Sequence, residues 1–194
     1  MLACALVLGW GLAGCAGPGR YAMPDDRETA SPREALENAK RYLSERPNWD
    51  IDCSGFVRAC YHSAEMADYA LHQPPGRNLA QSLFRYCTDH WHRRPHFADI
   101  RPGDIIIFDK TYDANHDGHI DAKDRWTHAG LVESFRNGTL TYLDASEGRK
   151  GPKLKRRSFS IKTGGKNETV AVDKATGRRI KHRETFDAAF GPEE

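Results

Sequence analysis

Two kinds of chemistry are written into short stretches of this chain. "DCSGFV" at residues 52–57 places Cys53 directly after an acidic residue and at the head of a run with helical apolar spacing. Asp52 is suited to cap a helix, so Cys53 falls at or near the first turn. The free N–H groups and the positive dipole end of that turn favour a thiolate, the form of cysteine that attacks carbonyl carbon. A thiolate also needs a base to hold and relay the proton. His128 opens the strand-like run "THAGLV", and Asp144 ends "TYLD" one strand later. A carboxylate there would orient the imidazole and stabilise imidazolium. The turn near Asn137 and Gly138 lies about midway between the two residues, so they can meet across an antiparallel pair. Taken singly, a packed cysteine, a structural histidine and a turn aspartate are the ordinary readings.

The second chemistry is oxygen ligation. "DANHDGHIDAKD", residues 113–124, places Asp113, Asn115 and Asp117 at alternate positions, then Gly118 where a sharp turn is needed. His119 can offer its backbone carbonyl, and Asp121 and Asp124 complete a twelve-residue calcium-loop pattern with apolar Ile120 as its anchor. His116 and His119 invite zinc, but oxygen donors dominate and favour calcium. The alternative is a solvated acidic turn. Strand-like residues flank the loop on both sides, so it reads as a decorated connection whose metal would brace the approach to His128.

These residues need elements to hold them. "SPREALENAKRYLSE" is a helix with Ser31 as cap, Pro32 at the first position and Glu34 three residues on. "DIDCSGFVRACYHSAEM" reads as a second helix, and "LAQSLFRYCTDHW", after the breaker "QPPGRN", as a third. Strands follow: "DIIIFD", "THAGLVESF" and "TLTYLDAS", then "KRRSFSIK", "ETVAV" and "RRIKH", with "DKATG" as a hairpin turn. Helices first and antiparallel strands after predict an α+β class, with helices packed on a central sheet. Tyr42, Trp49 and Trp126 are aromatic candidates for cleft walls or for core packing.

The ordered words "DCSGFV", "RPGDIIIF", "THAGLV" and "LDAS" closely resemble those of the NlpC-type cell-wall cysteine peptidases of the papain-like superfamily. The resemblance covers residues 49–146. It implies a papain-like fold with Cys53 as nucleophile, His128 as base and Asp144 as the orienting group. Histidine is frequent in that family at the third position, and related CHAP amidases use other polar residues there. The 113–124 insertion is the other departure; Asp124 at its last position resembles dockerin loops. The implied substrate is the amide of peptidoglycan stem peptides, commonly between D-glutamate and the diamino acid. An oxyanion hole is expected from the Cys53 backbone N–H. An amidase or acyltransferase on the same fold is the alternative, as is a non-catalytic, calcium-stabilised envelope lipoprotein.

The N-terminal "MLACALVLGWGLAGC" is apolar, uncharged and too short to span a bilayer. "LAGC" resembles a lipobox, which implies a lipoprotein signal at residues 1–15 with Cys15 lipidated; a plain secretory signal is the alternative. Ala16 in place of Asp favours the periplasmic side of the outer membrane by resemblance to Gram-negative lipoproteins. Residues 16–30 then form a tether and 31–194 a single catalytic domain, expected to be a monomer with a lipid anchor in the membrane. The net charge of +2 gives nucleic-acid binding no support. Residues 149–183 nevertheless carry thirteen Lys or Arg against two acids, Glu168 and Asp173, read as a solvated basic face or a surface for anionic wall polymer. Export leaves Cys53, Cys60 and Cys87, an odd set in an oxidising compartment. A Cys60–Cys87 disulfide with Cys53 free is one expectation.

Overall fold

A computed structural model describes residues 29–71, 79–148, 151–162, 165 and 167–192. The signal segment, Cys15 and most of the expected tether lie outside the described residues. Ala30, assigned to that tether, is already held by its N–H on the Tyr61 carbonyl at 2.8 Å.

Helix α1, Pro32–Glu45, begins with the expected capping box: the Glu34 carboxylate accepts from Ser31 N–H at 2.8 Å, and Ser31 Oγ accepts from Glu34 N–H. Its stripe of Ala35, Leu36 and Ala39 is buried. Helix α2, Cys53–Tyr61, is capped by Asp52, whose Oδ1 accepts from Gly55 N–H at 2.7 Å and Ser54 Oγ at 2.6 Å. The sequence suggested one helix running on to Met66. The structure divides it, because His62 takes a left-handed conformation (φ 52°) and ends α2. Ser63 Oγ then accepts from Met66 N–H and starts α3, Ala64–Leu71. Helix α4 is Leu79–His90. No described helix is long and apolar enough to cross a membrane.

The main sheet has six strands in the order β1-β8-β2-β3-β4-β5: His92–Arg93, Phe186–Gly191, Ile105–Phe108, His128–Arg136, Thr139–Gly148 and Gly151–Ser160. All its pairings are antiparallel. A separate hairpin joins β6, Thr169–Val172, to β7, Arg179–Lys181, and the one-turn helix α5, His182–Thr185, leads into β8. The molecule is thus α+β with a mostly antiparallel sheet, as expected. The strand nobody would pick from pattern alone is β8, which sits between β1 and β2.

One sheet face packs Ile105, Ile107, Ala129, Leu131, Leu143 and Ala145 against Phe56, Val57 and Cys60 of α2. The other gathers Ile106, Phe108, Val132, Tyr142, Phe159 and Ala189. Burial on both faces explains why β2 reads as an unbroken apolar run rather than an alternating one. Cys60 and Cys87 are both free and fully buried, which corrects the expected disulfide. They act as small core hydrophobes, and burial pushes both thiols well up.

Candidate active site

Cys53 is the first residue of α2, where the Asp52 cap leaves the N–H groups of the first turn pointing out of the helix. It is partly exposed and lines a cleft of about 740 Å³ together with His128, Asp144, Tyr112, Arg157 and His182. His128 is the first residue of β3, paired in register with Phe108 at the end of β2. Asp144 is 1% exposed in the middle of β4. The structure brings the three together. His128 Nε2 lies 2.7 Å from Asp144 Oδ2, which leaves Nδ1 as the ring nitrogen available to the Cys53 side.

Charge at the imidazole is set by opposing effects. Burial disfavours the cation, but the Cys53 side chain beside the ring and the Asp144 carboxylate outweigh it, pushing His128 up to about 10. The ring thus stands between the Cys53 sulfur and the Asp144 carboxylate, and both favour its protonated form. Such a pair has both the nucleophile and the proton that a leaving amine requires.

Gly130 follows two residues after His128, and its identity has a steric cause. A Cβ there would meet Tyr142 Cδ2 at 2.6 Å and the Leu143 carbonyl at 2.9 Å. The Tyr142 ring therefore lies over Gly130, and its hydroxyl hydrogen-bonds His182 Nε2.

Sequence reading misses His182, which reads only as the end of a strand, and Arg157, which falls in the basic stretch read as a solvated face or a surface for anionic polymer. His182 is 2% exposed, and burial together with Arg157 lowers it to about 4, so it is neutral. Arg157 Nε sits 3.2 Å from Asp144 Oδ2, and its Nη2 donates to Ser146 Oγ at 3.0 Å. No local signal marks either residue; only the pairing of β4 with β5 and the return of the chain through α5 bring them here. Of the two roles open to Tyr42, Trp49 and Trp126, core packing is the one observed. Tyr42 and Trp49 meet edge to face at 5.1 Å, and Trp126 stacks on Phe84 at 4.2 Å.

The 113–124 loop grows directly out of the cleft wall. Thr111 and Tyr112 precede it, Thr127 and His128 follow it, and all four line the cleft. Its neck is closed where Thr111 N–H and Oγ1 both reach Thr127 Oγ1 at 2.9 Å, and Lys110 N–H reaches the Asp124 carbonyl at 2.7 Å. Gly118 supplies the expected left-handed turn (φ 88°). Within the loop Asp113 accepts from the N–H groups of Asp117 and Gly118, and Asp117 from His119 N–H. Asn115 Oδ1 accepts from Asp117 N–H, and Asp121 Oδ1 from Lys123 N–H. Buried Asp124 accepts from Ala114 at 2.8 Å and Asp121 at 2.9 Å. Lys123 Nζ stands 3.3 Å from Asp117. The donors are oxygens, the chemistry a hard cation takes. Here they are engaged by the loop's own amides and Lys123, and among the described residues no three His, Cys, Asp or Glu groups converge as a metal set. Ile120 N–H is held from outside by Asp173 Oδ2, in the β6–β7 turn, at 2.9 Å.

Comparison with protein-family models, with curated proteins and with solved structures finds no match for the chain. The functional reading accordingly rests on the motifs and on the geometry of this cleft.

Proposed function

We propose that the protein is an exported cysteine peptidase of NlpC type, with a papain-like fold, that hydrolyses amide bonds in peptidoglycan stem peptides. The observation that carries the reading is the line of Cys53, His128 and Asp144 along one open cleft, with the cysteine at a helix N-terminus. Cys53 Sγ attacks the amide carbon, and the oxygen takes up negative charge facing the Cys53 backbone N–H. His128 gives its proton to the amide nitrogen as the C–N bond breaks, and the amine leaves a thioester. The neutral imidazole then removes a proton from water, which attacks the thioester carbon. Loss of the thiolate restores the Cys53–His128 ion pair and releases the acid. Asp144 orients the ring throughout and balances its charge.

In the same reading calcium occupies the 113–124 loop through Asp113, Asn115, Asp117, the His119 carbonyl, Asp121 and Asp124. It would brace the neck from which His128 emerges, without taking part in the chemistry. Lipidated Cys15 would hold the monomer at the periplasmic face of the outer membrane, within reach of the wall.

The test is mass spectrometry of purified muropeptides incubated with wild type and Cys53→Ala, each with calcium and with chelator. Cleavage by wild type alone is expected, and fragment masses name the bond. Cleavage between muramic acid and alanine would make the protein an amidase. Equal cutting by Cys53→Ala, or none by either, would overturn the reading.

A further inference from the structure

Asp144 is almost fully buried in the cleft, and its surroundings are not those of a simple dyad partner. It is 1% exposed, and one of its oxygens, Oδ2, serves two cations: His128 Nε2 at 2.7 Å and Arg157 Nε at 3.2 Å. The other oxygen is buried without a hydrogen-bond partner among the described residues. The two cations arrive from opposite sides. Leu131 faces Leu143 on the β3–β4 ladder, and Tyr142 faces Arg157 on the β4–β5 ladder. Arg157 is therefore a diagonal neighbour of Asp144 on one flank, as His128 is on the other. The guanidinium is itself fixed, by Ser146 Oγ at 3.0 Å and by Glu168 at 3.7 Å.

We infer that Arg157 is a positioning residue of this site: it holds the Asp144 carboxylate in place, and by sharing Oδ2 it limits how strongly that carboxylate binds the proton of His128. The inference rests on reading Cys53, His128 and Asp144 as the acid–base machinery. It extends that reading to a residue outside the quoted motifs. The physical need is plain. A base flanked by an anionic nucleophile and an anionic orienter holds its proton too tightly to give it up, and a second cation on the orienter offsets this. Arg suits the task because it stays protonated: Nη2 is anchored on Ser146 Oγ, while Nε lies 3.2 Å from Asp144 Oδ2 as an ion pair without hydrogen-bond geometry.

The groups that face His128 are few enough for a clean titration. Cys53 comes from α2, Asp144 and Tyr142 from β4, Arg157 from β5 and His182 from α5, with Tyr112 across the cleft and Glu168 behind Arg157. Of these, Cys53 and Asp144 are the groups that chiefly raise His128.

The experiment is a pH titration of the histidine ring nitrogens by long-range proton–nitrogen correlation spectra on the full chain labelled at histidine. Wild type, Arg157→Met, Arg157→Lys and Ser146→Ala are compared, with circular dichroism as the control for folding. In Arg157→Met the His128 midpoint should rise by about one pH unit, since one opposing charge at close range has that order of effect. Arg157→Lys should restore most of the difference, and Ser146→Ala, which only loosens the guanidinium, should move the midpoint the same way by less. If Arg157→Met does not fold, Ser146→Ala and Arg157→Lys carry the test. An unmoved or lowered midpoint in Arg157→Met, or in Ser146→Ala where Arg157→Met does not fold, would overturn the assignment. Muropeptide cleavage by the same set is scored separately. Loss of that activity in wild type would remove the peptidase reading and leave the titration result standing.

Discussion

His128 and Asp144 touch through Nε2 and Oδ2 at 2.7 Å although they are not paired across the sheet. The β3–β4 ladder reaches Leu131 opposite Leu143; continued to the start of β3 it arrives two residues past Asp144. The two are diagonal neighbours on one face. The register shift between Val132 and Ser134 sets this offset, because each slip by one residue would turn a side chain to the other face.

Replacing Asp144 by Asn keeps the shape and removes the charge. Arg157 would then lose its carboxylate, and His128 could be held in the wrong tautomer. We expect kcat/KM on muropeptides to fall by roughly three to four orders of magnitude. Stability should fall by about 2–3 kcal/mol, below the range for a fully buried pair because Arg157 is partly exposed. Steady-state kinetics and urea unfolding read the two effects.

Gly130→Ala tests the packing behind the histidine. The added methyl must displace Tyr142 or the Leu143 backbone. A loss of about 1–3 kcal/mol is expected from overpacking. Calorimetry should show a lower Tm, and a Tm unchanged within error would mean that the Tyr142 ring is free to move aside.

The two cleft histidines pull stability in opposite directions with pH. His128, raised from 6.5 to about 10, retains a proton on folding that the unfolded chain releases in that interval. Its contribution is whole below about 6.5 and is lost as pH rises through about 10. His182, lowered to about 4, refuses a proton that the unfolded chain takes up between 6.5 and 4. Its cost therefore grows as pH falls through that range. A stability maximum near pH 6.5 is expected in denaturant unfolding at a series of pH values. In His182→Gln, whose side-chain amide can still hydrogen-bond the Tyr142 hydroxyl, the acid limb should flatten.

Calcium should stabilise the folded chain by roughly 2–3 kcal/mol at a hundredfold excess over Kd. The shift in Tm between calcium and chelator reads this, and Asp113→Ala with Asp117→Ala should abolish it. Asp173→Ala removes the acceptor for buried Ile120 N–H and should cost about 1–3 kcal/mol whether or not calcium is present. A calcium shift that survives the double substitution would place the ion elsewhere.

Much of the site's local scaffolding was legible in the residues themselves. Ser31, Pro32 and Glu34 mark the start of α1, and Asp52 marks the helix that presents Cys53, because capping acts within four residues of chain. The alternation of oxygen-bearing residues around Gly118 is equally local. The strands on either side of Asn137–Gly138 follow from a two-residue turn, which also brings His128 towards Asp144. What only the tertiary structure decided lies at longer range. The break at His62, the placing of β8 between β1 and β2, and the burial of Cys60 and Cys87 without a disulfide depend on how the helices and the sheet fill one core. Arg157 and His182 reach the cleft by the same route: each is held there by pairings and burial summed over the whole sheet, and no spacing within the chain encodes that sum.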